Sequence, residues 1–188
     1  MAHELTTSYL RDSLSLFRYY KTLTERAMAQ VTDEQLFAVL DGEMNCIAII
    51  VKHMAGNMRS RWTDFLTTDG EKPDRDRDRE FETSGADTRA SVTALWEDGW
   101  SRLFSAITPL SPADLSKMVQ VRREAHTVLE AINRQMTHYA AHIGQIVLLA
   151  KHYAGADWQT LSIPRGKSKE FDVSKTGAAY GIRDSSKK

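Results

Sequence analysis

Apolar residues recur at helical spacing in four stretches of this chain. In the first, Tyr9, Leu16 and Leu23 follow one another at heptad spacing, with Ser13, Tyr20 and Ala27 on the same side. The second carries a broad stripe of Ile47, Ile50, Val51, Met54, Met58, Trp62 and Phe65. A third, starting near Asp87, shows Val92, Leu95, Trp96, Trp100, Leu103, Phe104 and Ile107. The fourth presents Leu129, Ile132, Met136, Tyr139, Ile143, Ile146 and Ala150. Capping signals punctuate these stretches. Thr32 with Gln35, and Thr127 with Glu130, have the spacing of capping boxes, and Ser111 precedes a proline suited to the first helical position. Asp41 and Gly42 make a connection, and Gly155 is the expected terminator of the last helix. No segment shows sustained period-two alternation. The pattern predicts an all-α domain: a four-helix bundle with short accessory helices and a partly extended C-terminal tail.

Between the second and third helices runs T-D-G-E-K-P-D-R-D-R-D-R-E, whose alternating charges and lack of apolar residues predict a solvated loop. Asp74, Asp76 and Asp78 match the opening of a calcium loop, but Arg79 stands where that loop needs glycine and Gly85 where it needs glutamate. Beyond Gly155 the composition changes. Residues 1–156 read as the bundle and 157–188 as a tail, with Trp158, Leu161, Ile163 and Pro164 able to dock and a polar, basic stretch after them. R-G-K-S at Arg165–Ser168 lacks the first glycine and the preceding strand of a phosphate loop.

At 188 residues the chain has room for one substantial core. Its 25 basic and 25 acidic residues cancel, so nothing points to nucleic acid or an anionic membrane as partner. The single cysteine, Cys46, cannot form an intramolecular disulfide. With no signal-peptide core and no membrane-length apolar run, the expected location is cytoplasmic.

Chemistry concentrates in the histidines. His138 and His142 form H-Y-A-A-H, a spacing that puts both rings on one helix face, a turn apart, where they can share a metal ion. His53 lies in the apolar second helix. Imidazoles on interior or core-edge faces must be hydrogen-bonded or metal-bound, so a three-histidine metal site competes with three satisfied core histidines. His3, His126 and His152 stand outside this set, at the terminus, before the last helix's cap and in its final turn; His126 is expected to face solvent. Tyr139 occupies the position of the glutamate in H-E-x-x-H, which removes a zinc-protease reading. Cys46 lies two turns from His53, roughly 10 Å along a helix, and reads as a small buried hydrophobe.

The segments I-I-V-K-H-M-A-G-N-M and N-R-Q-M-T-H-Y-A-A-H-I-G-Q-I resemble the DinB/YfiT-like superfamily of four-helix metal-binding proteins. R-W-T-D-F-L-T-T-D-G-E-K-P, H-T-V-L-E-A-I-N-R-Q and W-Q-T-L-S-I-P-R-G-K-S resemble an uncharacterised branch of it. The resemblance implies that His53, His138 and His142 bind one divalent metal, zinc or nickel, and that the protein is a homodimer. It further implies a metal-dependent enzyme, a thiol S-transferase or hydrolase, acting on a small-molecule electrophile with a low-molecular-weight thiol as possible cosubstrate. The alternative is a non-catalytic bundle or dimer stabilised by its metal, with a stress-related or interaction role. Three imidazoles leave positions for water or substrate on such an ion. Asn57, Gln135 and Gln145 are candidates for orienting the imidazoles. No carboxylate stands out as a general base. Trp96 or Trp100 could wall a pocket, although aromatic residues at that spacing usually belong to a core.

Overall fold

The computed structural model describes residues 5–170. It is mostly helical: α1 runs Leu5–Met28, α2 Asp33–Phe37, α3 Ile47–Trp62, α4 Arg89–Ile107 and α5 Val128–Ala154. The expected caps form these helices' boundaries. Thr32 and Gln35 exchange hydrogen bonds at the start of α2, as do Thr127 and Glu130 at α5. Helix α4 opens just after Asp87 on a box made by Thr88 and Ser91. Ser111 boxes with Asp114 around Pro112, but the turn that follows is 3-10 (Pro112–Ser116). Gly155 ends α5 with a φ of +54°, a conformation that favours glycine.

Helix α3 packs along α4 and α1 along α5, with further contacts of α3 to α5 and α1 to α4. At the α3–α4 crossing, a Cβ on Gly99 would come within 3.2 Å of the Ala55 backbone, so the missing side chain sets how closely these helices approach. Phe17, Trp96, Trp100 and Tyr139 are fully buried. Trp100 has ring neighbours on α1 (Phe17 at 6.3 Å), on α5 (Tyr139 at 6.0 Å) and along its own helix (Trp96 at 5.4 Å and Phe104 at 5.7 Å). Trp96 and Trp100 are therefore core residues and not pocket walls.

Four expectations change. The buried face of α1 keeps Ser13 and Ala27 but is rotated towards Leu10, Phe17 and Thr24, leaving Tyr9, Leu16 and Leu23 only half-buried. Leu95, expected in the α4 stripe, is exposed. The domain is also not purely helical: β1 (Met118–Val121) and β2 (Glu124–Thr127) form an antiparallel hairpin, with Met118 opposite Thr127 and Val121 opposite Glu124. His126 sits on β2, half-buried, instead of facing solvent. Trp158 and Leu161 pack against the core, Gln159 bonds through its backbone to Gln30 just after α1, and Leu161 through its carbonyl to Arg26 of α1. Ile163 is exposed, and residues 171–188 of the expected tail lie outside the described residues, as does His3. Among the described residues no helix is long and apolar enough to cross a membrane.

Candidate metal centre

His53 projects from the middle of α3 and is buried; His138 and His142 project from successive turns of α5 and are half-buried. Antiparallel contact between the two helices brings the three rings together. His138 Nε2 lies 3.4 Å from His53 Nε2 and 3.1 Å from His142 Nε2. Each residue offers one ring nitrogen to a set whose members all fall within 4.8 Å of one another, a spacing able to hold a metal ion. Two nitrogens bound tetrahedrally to one zinc ion at its usual bond length are about 3.3 Å apart, so the two close separations match what such an ion requires.

The far sides of the rings fix which nitrogen faces the shared point. His53 Nδ1 donates to Glu80 Oε2 at 3.0 Å, and His142 Nδ1 donates to Gln145 Oε1 at 2.9 Å. Both rings then direct an Nε2 lone pair inward. A proton on His138 Nε2 can satisfy only one of them, which leaves an excess of convergent acceptors that suits a cation. His138 Nδ1 is buried and makes no hydrogen bond to the protein. Burial lowers the pKa of His138 to about 4, helped by the nearby charges of His142 and His53. Burial also lowers that of His142, partly opposed by its bond to Gln145. At neutral pH both are unprotonated, the state a metal ligand needs.

Of the three amides considered, Gln145 alone contacts a ring of the cluster. Asn57 accepts from Tyr139, whose hydroxyl in turn accepts from Trp62 Nε1 at 3.0 Å, a buried link between α3 and α5. Gln135 is buried with its Oε1 unpartnered. Cys46 is fully buried at the N-cap of α3, as a small apolar residue would be.

Sequence reasoning missed Glu80 and Arg75, both inside the segment expected to be a solvated loop. The Arg75 side chain is 2% exposed and holds Glu80 through two bonds of 2.8 Å, from Nε to Oε1 and from Nη2 to Oε2. Burial would raise the pKa of Glu80, but the bonds from Arg75 and His53 outweigh it and hold the carboxyl below its ordinary value. Phe81 then lies over His53 with ring centres 4.8 Å apart. The alternation of the loop splits by direction: Arg75 points in, Asp74 pairs outward with Arg59, Asp76 with Arg79, and Arg77 covers the Phe81 ring. These pairings also engage two of the three aspartates of the rejected calcium pattern, Asp74 and Asp76. Glu80 addresses Nδ1 of His53, the ring edge away from the shared point, so it supports a ligand without being one. A cavity of about 450 Å³, lined by residues including Trp62, Phe65, Leu66 and Arg102, has no histidine in its wall. We place the candidate site at the histidines because ligand chemistry, and not concavity, sets a metal centre.

Fold and site together define a mostly helical protein with a three-histidine cluster, fit for a metal ion, between two of its long helices. The chain belongs to the family described as protein of unknown function (DUF1572), whose model matches residues 4–167. No curated protein and no solved structure matches it.

Proposed function

We propose that His53, His138 and His142 hold one divalent metal ion, zinc or nickel, in a four-helix bundle of the DinB/YfiT type, and that the protein is a metal-dependent enzyme. The reaction is transfer of a low-molecular-weight thiol to a small electrophile, or hydrolysis of such an electrophile. The observation that carries this is the convergence of three Nε2 atoms, two of them with their tautomers fixed from behind by Glu80 and Gln145. When bound, such an ion lowers the pKa of a water or thiol and polarises an electrophile. The protein's own contribution is positional. Glu80 and Gln145 orient two rings, burial keeps His138 and His142 neutral, and the half-buried α5 histidines give the site its approach from solvent.

A second reading, a non-catalytic bundle or homodimer stabilised by its metal, is favoured by the origin of the ligands. They come from two different helices, so an ion would cross-link α3 to α5. Activity separates the two. Metal-loaded protein is screened with thiol and small electrophiles, and with electrophiles alone. Turnover that chelation abolishes, metal restores and a folded His138→Ala/His142→Ala variant lacks supports the enzyme. Stabilisation by metal without turnover in either screen favours the second reading.

A further inference from the structure

Gly56 stands three residues after His53, inside α3, where glycine costs about 1 kcal/mol relative to alanine. A Cβ built on it would lie 2.1 Å from Glu80 Oε1 and 2.6 Å from Glu80 Cδ. The carboxylate therefore fills the space that any side chain at position 56 would occupy. Arg75 grips both carboxylate oxygens, with 2.8 Å bonds that set the plane of the group. Backed by Gly56 and clamped by Arg75, Glu80 presents Oε2 to His53 Nδ1. Burying this ion pair is costly, and such pairs can often be replaced by apolar residues without loss of stability. Stability alone gives little reason for a helix glycine and a buried ion pair to meet at this imidazole.

We propose that Glu80, seated in the gap at Gly56 and clamped by Arg75, is a positioning residue for metal binding. It holds His53 as the Nδ1–H tautomer, so that the Nε2 lone pair meets those of His138 and His142 at one point. This rests on the three-histidine metal reading and assigns it the residues that make the site selective for a ligand-ready His53. Arg75 acts through Glu80, and Gly56 acts by leaving room.

The test titrates chelator-stripped protein with Zn(II) against a chromogenic competitor, for wild type, Gly56→Ala and the paired replacement Arg75→Met/Glu80→Met. Both variants are expected to bind Zn(II) about 10–100-fold more weakly, the range for loss of a group that orients a metal-bound histidine. In metal-free samples, ¹H–¹⁵N spectra should show His53 losing its Nδ1–H form. Alanine favours the helix but must displace the clamped carboxylate, so circular dichroism at the titration temperature checks that the Gly56→Ala protein is folded. Zn(II) affinity within about twofold of wild type in both variants, well short of that range, overturns the positioning role and leaves the metal reading standing. A folded wild type that binds neither Zn(II) nor Ni(II) removes the metal reading and this inference with it.

Discussion

Protonation of His138 is opposed first by burial and then by the positive charge of His142, His53, Arg61 and Arg75, which brings its pKa to about 4. A histidine whose folded pKa lies below the unfolded value of about 6.5 takes up its proton more readily in the unfolded chain. Its neutral folded form therefore costs nothing above that value and weakens the fold as pH falls from about 6.5 towards about 4. Denaturant midpoints of metal-free protein should decline across that window, and a folded His138→Leu variant should show a shallower decline; equal slopes would contradict the assignment. Metal affinity should fall in the same direction, since protons compete for the same nitrogens. At this scale the sequence was legible in part. The H-Y-A-A-H spacing placed two rings on one face, and His53 joined them through resemblance. Glu80 and Arg75 were hidden because strict charge alternation carries no period that separates an inward arginine from outward ones. Two signals bordered them: Phe81, an aromatic residue ending the charged run, and Gly56, a helix-interior glycine one turn from a histidine.

Among the elements, the hairpin was the least legible. Each strand has only four residues, and the turn between them is Arg122-Arg123, where the usual signal is asparagine or aspartate followed by glycine. Both arginines have positive φ, 55° and 65°. Asp69 makes this tolerable from outside the hairpin, its carboxylate accepting from the backbone N–H groups of Arg122 at 2.8 Å and Arg123 at 2.7 Å, and also from Glu71. Those bonds hold the Asp69 pKa below its usual value against the effect of burial. Since left-handed backbone costs a side-chain-bearing residue about 1–2 kcal/mol, Arg123→Gly should raise the melting temperature. Asp69→Ala should lower stability by at least about 1.5 kcal/mol through loss of charge-assisted bonds. Chemical denaturation measures both; a stabilised Asp69→Ala protein would show that the hairpin holds its turn unaided. The long helices were far more legible, because the cap at Thr127, the start near Asp87 and the apolar stripes around Trp100 and Tyr139 agree with one another. The heptad reading of α1 placed Ser13 and Ala27 inside but missed Leu10, Phe17 and Thr24, since Tyr9, Leu16 and Leu23 are only half-buried.

For the molecule as a whole, Trp100 is the aromatic hub on which α1, α4 and α5 meet. Trp100→Ala should cost about 3–5 kcal/mol, a large share of the stability of an ordinary domain. Urea unfolding reads this directly, and a loss under about 1 kcal/mol would show that the core closes around the cavity. A bound ion acts in the opposite direction by linking α3 to α5. At a free concentration of a hundred times its Kd it adds about 2.7 kcal/mol, which in a chain of this size raises the melting temperature by about 5–10 °C. The most direct test is equilibrium dialysis of stripped, folded protein against Zn(II) and Ni(II), with the bound metal counted by mass spectrometry. One equivalent per chain is expected for wild type and none for folded His138→Ala/His142→Ala. A wild type that stays empty at saturating metal, or a double variant that still fills, contradicts a metal centre at His53, His138 and His142.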